Sequence, residues 1–326
     1  MNCLCCGKPL HTDNNFGWHK RCIKRFFGTS KLPKIELDEA ALELLATQST
    51  KKGFTIPGVQ KKLSLQLQRG QGTTPRLTLI NYPAGYIIKP QVEQFKALPE
   101  SNIYKALPES EHLVMRMAHA VGIATVPHAL IQSKNSYAYI TKRIDRVDGK
   151  DGAAKLAMED FCQLGQRLTE HKYQGSYERC CKIIEKYSDR SKLDLTEFFI
   201  RLVFFYITGN SDMHLKNFSL IETFVGSKRY VLSAAYDLLP VKVNIPADKE
   251  DFALAMNGKK TKIRKNDFFK FAESVGISKD IAEKLIKQLV DKKNMLQSMC
   301  MESLLPNDMK QAFSDLIEKR CLILMS

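Results

Sequence analysis

The stretch from Phe198 to Asp237 constrains the fold of this chain more than any other. Phe198–Ile207 is apolar except for Arg201, long enough for a buried helix and too short to cross a bilayer. Gly209-Asn210-Ser211-Asp212-Met213-His214-Leu215-Lys216-Asn217 follows at once, polar and rich in turn formers. Two strand-like pieces come next, Phe218–Phe224 and Tyr230–Ala235, separated by Gly226-Ser227-Lys228, and they read as a hairpin. The second piece runs straight into Tyr236-Asp237.

A carboxylate at Asp212, an amide at Asn217 and a second carboxylate beyond the hairpin at Asp237 match the layout of a phosphoryl-transfer site. The attacking hydroxyl must be oriented and must lose its proton late, which a carboxylate at Asp212 can do. Magnesium is a hard cation that takes oxygen ligands, and Asn217 with Asp237 would supply them beside phosphate oxygens. His214 is expected to pack beneath the loop and hold its shape. The alternative is plain: Asn, Ser, Asp and Gly between a helix and a strand are ordinary turn residues.

At 326 residues the chain can bury a sizeable core and is expected to divide into two lobes. A hydrophobic content of 44% and a charged content of 26% describe a globular protein. Met1–Leu10 lacks the basic end and apolar core of a signal peptide, and no run approaches transmembrane length, so a cytoplasmic location without membrane attachment is expected. The formal charge of +15 attracts polyanions: nucleic acid, nucleotide or an acidic protein. The densest run, Lys259-Lys260-Thr261-Lys262-Ile263-Arg264-Lys265, could track phosphates or form a solvated helix start, and no nucleic-acid-binding motif accompanies it.

Nine cysteines are scattered except at the N-terminus, and structural disulfides are not expected. Cys3 and Cys6 have the spacing of a zinc knuckle, with Gly7 permitting the tight turn, and His19 with Cys22 could complete a tetrahedral set. Cys5 leaves the ligand assignment open. The alternative is a reduced, thiol-rich segment pinned by Trp18, Phe26 and Phe27.

Residues 1–50 are expected to hold the Cys/His cluster and a helix over Asp38–Gln48, residues 51–150 a mainly β lobe, and residues 151–326 a mostly helical lobe. Strands are expected over Thr55–Leu67, Leu77–Ile80, Tyr86–Lys89, Val126–Gln132 and Ser136–Thr141, with a helix over Ser110–Val121. Lys89 closes an apolar strand and Glu111 lies near the start of the next helix. Surface charges are often placed so, but in this order ahead of Asp212 they fit a phosphate-gripping lysine and its partner. Thr141-Lys142-Arg143-Ile144-Asp145 reads as a hinge. From Ala153 onward the pattern is helical apart from the hairpin, with amphipathic stretches at Asp267–Val275, Ile281–Lys293 and Met309–Leu324.

Five marks in this order resemble the HipA family of serine/threonine kinases, the toxin half of bacterial toxin–antitoxin pairs. They are Gly58-Val59-Gln60-Lys61-Lys62-Leu63-Ser64-Leu65, Ile87-Ile88-Lys89-Pro90, Glu159-Asp160-Phe161-Cys162-Gln163, Asn210 to Leu220, and Ala235-Tyr236-Asp237-Leu238-Leu239. The resemblance implies an α+β, two-lobed kinase-like fold, ATP and Mg2+ as cofactors, and a protein substrate, with aminoacyl-tRNA synthetases the known class. It assigns catalysis to Asp212, magnesium to Asn217 and Asp237, and phosphate contact to Lys89 with Glu111 as partner. Pro57, Gly58, Val59, Gln60, Lys61 and Lys62 match the loop over the ATP phosphates. Lys142, Arg143, Ile144 and Asp145 match adenine and ribose contacts, and His214 and Tyr236 are counted with the nucleotide-binding residues.

Two departures follow. Larger HipA proteins carry a subdomain ahead of the phosphate loop, but here the loop arrives by Thr55. The chain is therefore similar to the short HipT type, whose missing subdomain is a separate small protein. A HipS-like antitoxin, a HipB-like DNA-binding partner or both are implied, with nucleic acid met only indirectly. The family's autophosphorylated serine is replaced by Thr55, which reads equally as a modified hydroxyl or as the β-branched start of a strand. The rival classes are a zinc-bearing nucleic-acid-binding module, which predicts salt-sensitive binding and no ATP turnover, and a silent pseudokinase that only sequesters a partner.

Overall fold

The computed structural model describes residues 2–10, 17–34, 62–68, 74–79, 85–91, 105–132, 136–149 and 152–326. The chain forms two compact units, Met1–His112 with Val126–Ala153, and Leu113–Thr125 with Ala154–Ser326. The helix expected over Asp38–Gln48, the phosphate loop from Pro57 to Lys61 and Thr55 lie outside the described residues.

The first unit begins with the helix α1 (Lys20–Phe27), then β1 (Leu63–Gln68), β2 (Arg76–Leu79) and β3 (Tyr86–Pro90). The helix α2 (Leu107–Ala120), within which the division between units falls, leads to β4 (His128–Gln132) and β5 (Tyr137–Lys142). These strands make one antiparallel sheet in the order β2-β1-β3-β5-β4. Apolar β-branched and aromatic residues fill its centre, where Leu65 pairs with Tyr86, Ile88 with Ile140 and Lys89 with Tyr139. Successive side chains point to opposite faces, so the burial of both Ile88 and Lys89 means that both faces of β3 are covered. On the Tyr86 side the cover is aromatic: Phe26 and Phe27 of α1 lie 5.8 and 5.5 Å from the Tyr86 ring. On the Lys89 side it is Glu111 of α2.

The expected hinge at Thr141–Asp145 is a turn inside the first unit, after which β6 (Arg146–Gly149) and β7 (Gly152–Lys155) form a two-stranded ribbon. The expectation of helix from Ala153 onward needs correction. β7 and β8 (Met158–Asp160) come first, and β8 pairs with β9 (Ser219–Glu222), which pairs in turn with β10 (Tyr230–Leu232). A three-residue strand carries no readable periodicity; Met158–Asp160 is extended because β9 offers it a ladder.

The second unit is built around α5. It follows α3 (Phe161–Leu164) and α4 (Tyr177–Tyr187), and spans Ser191–Thr208. Phe198, Phe199, Leu202, Val203, Phe204, Phe205, Tyr206 and Ile207 are all essentially inaccessible, as a helix apolar on every side must be. Each such side chain contributes roughly 1.5–3 kcal/mol by leaving water. The exception, Arg201, is buried against Glu197 at 2.9 Å. Asp194 anchors the helix start, accepting from Ser188, from Arg190 and from the Leu232 amide of β10. The chain then forms α6 (Val241–Asn244), α7 (Lys265–Ser274), α8 (Lys279–Val290), α9 (Lys293–Met301) and α10 (Asn307–Met325). The amphipathic stretch expected over Ile281–Lys293 is mostly α8, which ends at Val290, and only its last residue belongs to α9. No helix among the described residues is long and apolar enough to cross a membrane.

Candidate active site

The loop that carries Asp212 starts where α5 must stop. Gly209 closes the helix in the left-handed conformation at φ 65°, and a Cβ there would lie 2.6 Å from Leu316 Cδ2. Only glycine fits both demands. The Asn210 amide then bonds back to Phe205 O at 2.9 Å, so the buried helix aims the loop. Backbone bonds from His214 to Asp212 O and from Asn217 to His214 O coil Asp212–Asn217 tightly. Tyr177 OH holds Met213 O from below at 3.2 Å, and Ser211 Oγ bonds to Asp248.

Within that coil Asp212 is exposed and Asn217 is buried. Asn217 Nδ2 donates to the Asp212 carbonyl at 3.0 Å, leaving Oδ1 as the acceptor of that side chain. His214 is buried and meets the Tyr173 ring edge-on, 4.9 Å between centroids.

Asp237 is half-buried and sits at φ 61°. That left-handed conformation is costly for most residues, and aspartate is among the few that tolerate it. The turn is held from both sides. The Ala235 amide bonds to Ala124 O at 2.8 Å, and Tyr236 OH bonds to Ser219 Oγ at 2.6 Å and to Lys216 O at 3.1 Å. Burial raises the Tyr236 phenol well above its ordinary value, so it stays a neutral donor. Asn217 Oδ1 and the Asp237 carboxylate each offer oxygen, the donor type that Mg2+ takes.

In the first unit Lys89 Nζ donates to Glu111 Oε1 at 2.6 Å, with both side chains almost wholly buried. The ammonium also lies 5.3 Å from the Tyr139 ring centre. Lys62 is the one residue of the expected phosphate loop that the structure describes, half-buried just before β1. Lys142 ends β5 and is exposed, and Arg143 and Ile144 are half-buried. Asp145 is buried and held on both oxygens, by Arg143 at 2.9 and 2.8 Å and by Arg146 at 2.5 Å. Burial alone would raise its carboxyl, but the two guanidiniums outweigh that and hold it below the ordinary range. Cys3, Cys6, His19 and Cys22 come together in the same unit.

Three participants were not singled out from the sequence. Tyr173 OH donates to Asp212 Oδ1 at 2.7 Å. Lys216 Nζ reaches Asp160 Oδ2 at 2.6 Å, while Asp160 caps α3 through the Gln163 amide. Asp248 takes the Ser211 hydroxyl. Asp160 lies inside one of the five motifs, which was the available signal; Tyr173 and Asp248 stand in loops without any.

Residues 54–296 match the model of the HipA-like C-terminal domain. The chain belongs to that family. A relative from Haemophilus influenzae, named as a kinase, is 24% identical over 92% of this chain and 90% of its own. Another, Y4mE of Sinorhizobium fredii, also carries a kinase name and is 27% identical over 78% of this chain and 61% of its own. Among solved structures, a Shewanella oneidensis HipA, determined with HipB and operator DNA, superposes with a TM-score of 0.65 at 19% identity. The match covers 82% of this chain and 64% of that HipA. The Helicobacter pylori proinflammatory kinase CtkA superposes with a TM-score of 0.52 at 16% identity, over 81% and 95% of the two chains. The fold is therefore that of the HipA and CtkA kinases, α+β as expected.

Proposed function

We propose that this HipA-like chain is an ATP- and Mg2+-dependent serine/threonine protein kinase, the toxin of a toxin–antitoxin pair. The observation that carries the reading is the Asp212–Asn217 coil. It presents an exposed carboxylate and, tied to the same residue's backbone, a buried amide whose oxygen is left to accept. Asp212 takes the proton of a substrate serine or threonine hydroxyl as that oxygen bonds to the γ-phosphorus and the bond to the β-phosphate oxygen breaks, releasing ADP. Mg2+ held by Asn217 and Asp237 would neutralise the phosphate charge. Lys89, kept extended by Glu111, would bind phosphate oxygens, and Pro57–Lys62 would cover them. Lys142–Ile144 remain the proposed adenine contacts. Asp145 is assigned instead to holding the shape of its turn, because both its oxygens already accept from arginines.

The finer reading rests on the family resemblance. The substrate is proposed to be an aminoacyl-tRNA synthetase, a class that suits a surface of net charge +15 through the tRNA it carries. Neutralisation is assigned to a HipS-like protein, a HipB-like protein or both, in a cytoplasmic complex. The Shewanella HipA was determined with HipB and DNA, so DNA would meet this chain through such a partner. The test is incubation with labelled ATP and Mg2+ against a whole-cell lysate, wild type beside Asp212→Asn. A labelled band present only with wild type supports the reading, and no transfer by folded wild type overturns it.

A further inference from the structure

The N-terminal cysteines form a side-chain cluster that no part of the phosphoryl-transfer reading uses. Residues 2–10 fold back on themselves: Cys3 N bonds to Lys8 O and Gly7 N to Cys3 O, both at 2.8 Å, with Gly7 at φ 67°. This knuckle turns Cys3 and Cys6 towards one point. His19 precedes α1 and Cys22 lies in its first turn, fixed by Cys22 N bonding to His19 O at 2.9 Å. One ligand atom from each of Cys3, Cys6, His19 and Cys22 lies within 4.8 Å of all the others. Cys6 Sγ is 3.4 Å and Cys22 Sγ 3.9 Å from His19 Nδ1. Tetrahedral zinc with ordinary Zn–S and Zn–N bonds sets its ligand atoms about 3.5–3.8 Å apart.

Two further contacts suit a metal rather than a chance cluster. His19 Nε2 lies 3.0 Å from Pro9 O, which can only accept, so the proton sits on Nε2 and the Nδ1 lone pair faces the sulfurs. The His19 amide donates to Cys3 Sγ, 3.4 Å away, as backbone amides do to metal-bound sulfur. All nine cysteines are free, so no disulfide competes for these sulfurs. Cys5, whose role the spacing left open, is buried and stands outside the converging set. Three sulfurs and one imidazole nitrogen make up one of the ligand sets of structural zinc sites.

We propose that Cys3, Cys6, His19 and Cys22 bind one structural zinc ion, and that this ion clamps the N-terminal segment onto the sheet that carries Lys89. Both ends of the clamp are visible. Leu4, inside the knuckle, accepts from the Leu130 amide of β4 at 2.8 Å. Phe26 O, at the end of α1, accepts from Tyr86 OH of β3 at 3.2 Å, and Trp18 packs on Phe26 and Phe27 at 5.6 and 5.5 Å. So short a segment has little core of its own, and a closed metal site supplies the missing constraint.

The test is metal content of the full chain purified without added metal, wild type beside Cys5→Ser and Cys6→Ser. One zinc per chain in wild type and Cys5→Ser, with loss in Cys6→Ser, supports the site. Folded wild type without zinc, iron in its place, or full zinc retained by Cys6→Ser overturns it. Should Cys6→Ser prove insoluble, titration of wild type with a mercurial decides. Zinc released in proportion to thiols modified supports the site, and zinc released before any thiol reacts overturns it. Hydrogen exchange gives the clamp its own readout: removing zinc should expose the Leu130 amide, and unchanged protection there would refute the coupling.

Discussion

Tyr173 OH donates a 2.7 Å hydrogen bond to Asp212 Oδ1. Burial raises the phenol, and the Asp212 carboxylate raises it further, so it keeps its proton throughout the working pH range. The bond fixes the direction of a carboxylate that the proposed reaction needs aimed at a substrate hydroxyl. Tyr173 is thus a positioning residue. Its replacement by Phe keeps the ring against His214 and removes only the donor. A hydrogen bond to a charged group contributes about 1.5–3 kcal/mol, so kcat should fall by roughly tenfold or more with the KM for ATP unchanged. An unchanged kcat in steady-state assays would show that the bond has no part in catalysis.

Asp212→Ala and Asp237→Ala should each abolish phosphoryl transfer and relieve growth arrest on expression, for different reasons. Asp212→Ala should still bind ATP, because it removes only the group that faces the hydroxyl. Asp237→Ala should lose the Mg2+-dependent part of ATP binding. Calorimetry with and without Mg2+ separates them, and two variants that still arrest growth would sink the kinase account of toxicity.

Lys89 and Glu111 are buried together, so removing one leaves the other's charge buried without this ion pair. Lys89→Met alone should lower folding stability by about 3–5 kcal/mol. Adding Glu111→Leu should recover most of that loss by denaturant titration, yet neither variant should transfer phosphate. Recovery of activity in the double variant would show that the pair serves folding alone.

Glu109, at the start of α2, is half-buried, and its Oε2 meets no hydrogen-bond partner among the described residues. Burial pushes its carboxyl up to about 7 from 4.5. Below pH 4.5 both folded and unfolded chains are protonated there, and the group costs nothing. As pH rises towards 7 the unfolded chain ionises first, and stability falls until the folded carboxyl ionises too. Glu109→Gln should therefore stabilise the protein by on the order of 2 kcal/mol at pH 8 and by only about a quarter of that near pH 5. Melting curves at the two pH values check it; an equal gain at both would assign the effect to something other than ionisation.

Much of the candidate site was legible in the sequence because its parts are local. The apolar run before Gly209, the Asp212–Asn217 spacing, the hairpin before Asp237 and the two cysteine-bearing turns each lie within one short segment, where residue type and spacing set the backbone directly. The pairing of Lys89 with Glu111 was readable as strand end and helix start, and the structure brings them to 2.6 Å. Other features depend on segments that meet only when helices and strands pack. Tyr173 reaches Asp212, Asp160 reaches Lys216, and Met158–Asp160 becomes a strand because β9 lies beside it. The two arginines reach Asp145 by side-chain direction, which residue order does not encode. Likewise, two cysteines at knuckle spacing can be read from a sequence, but which of Cys3, Cys5 and Cys6 point at His19 depends on how the turn at Gly7 orients each Cβ. Spacing along the chain determines which groups can be near one another; packing decides which way they face, because burial selects one rotamer from several that the isolated backbone allows equally.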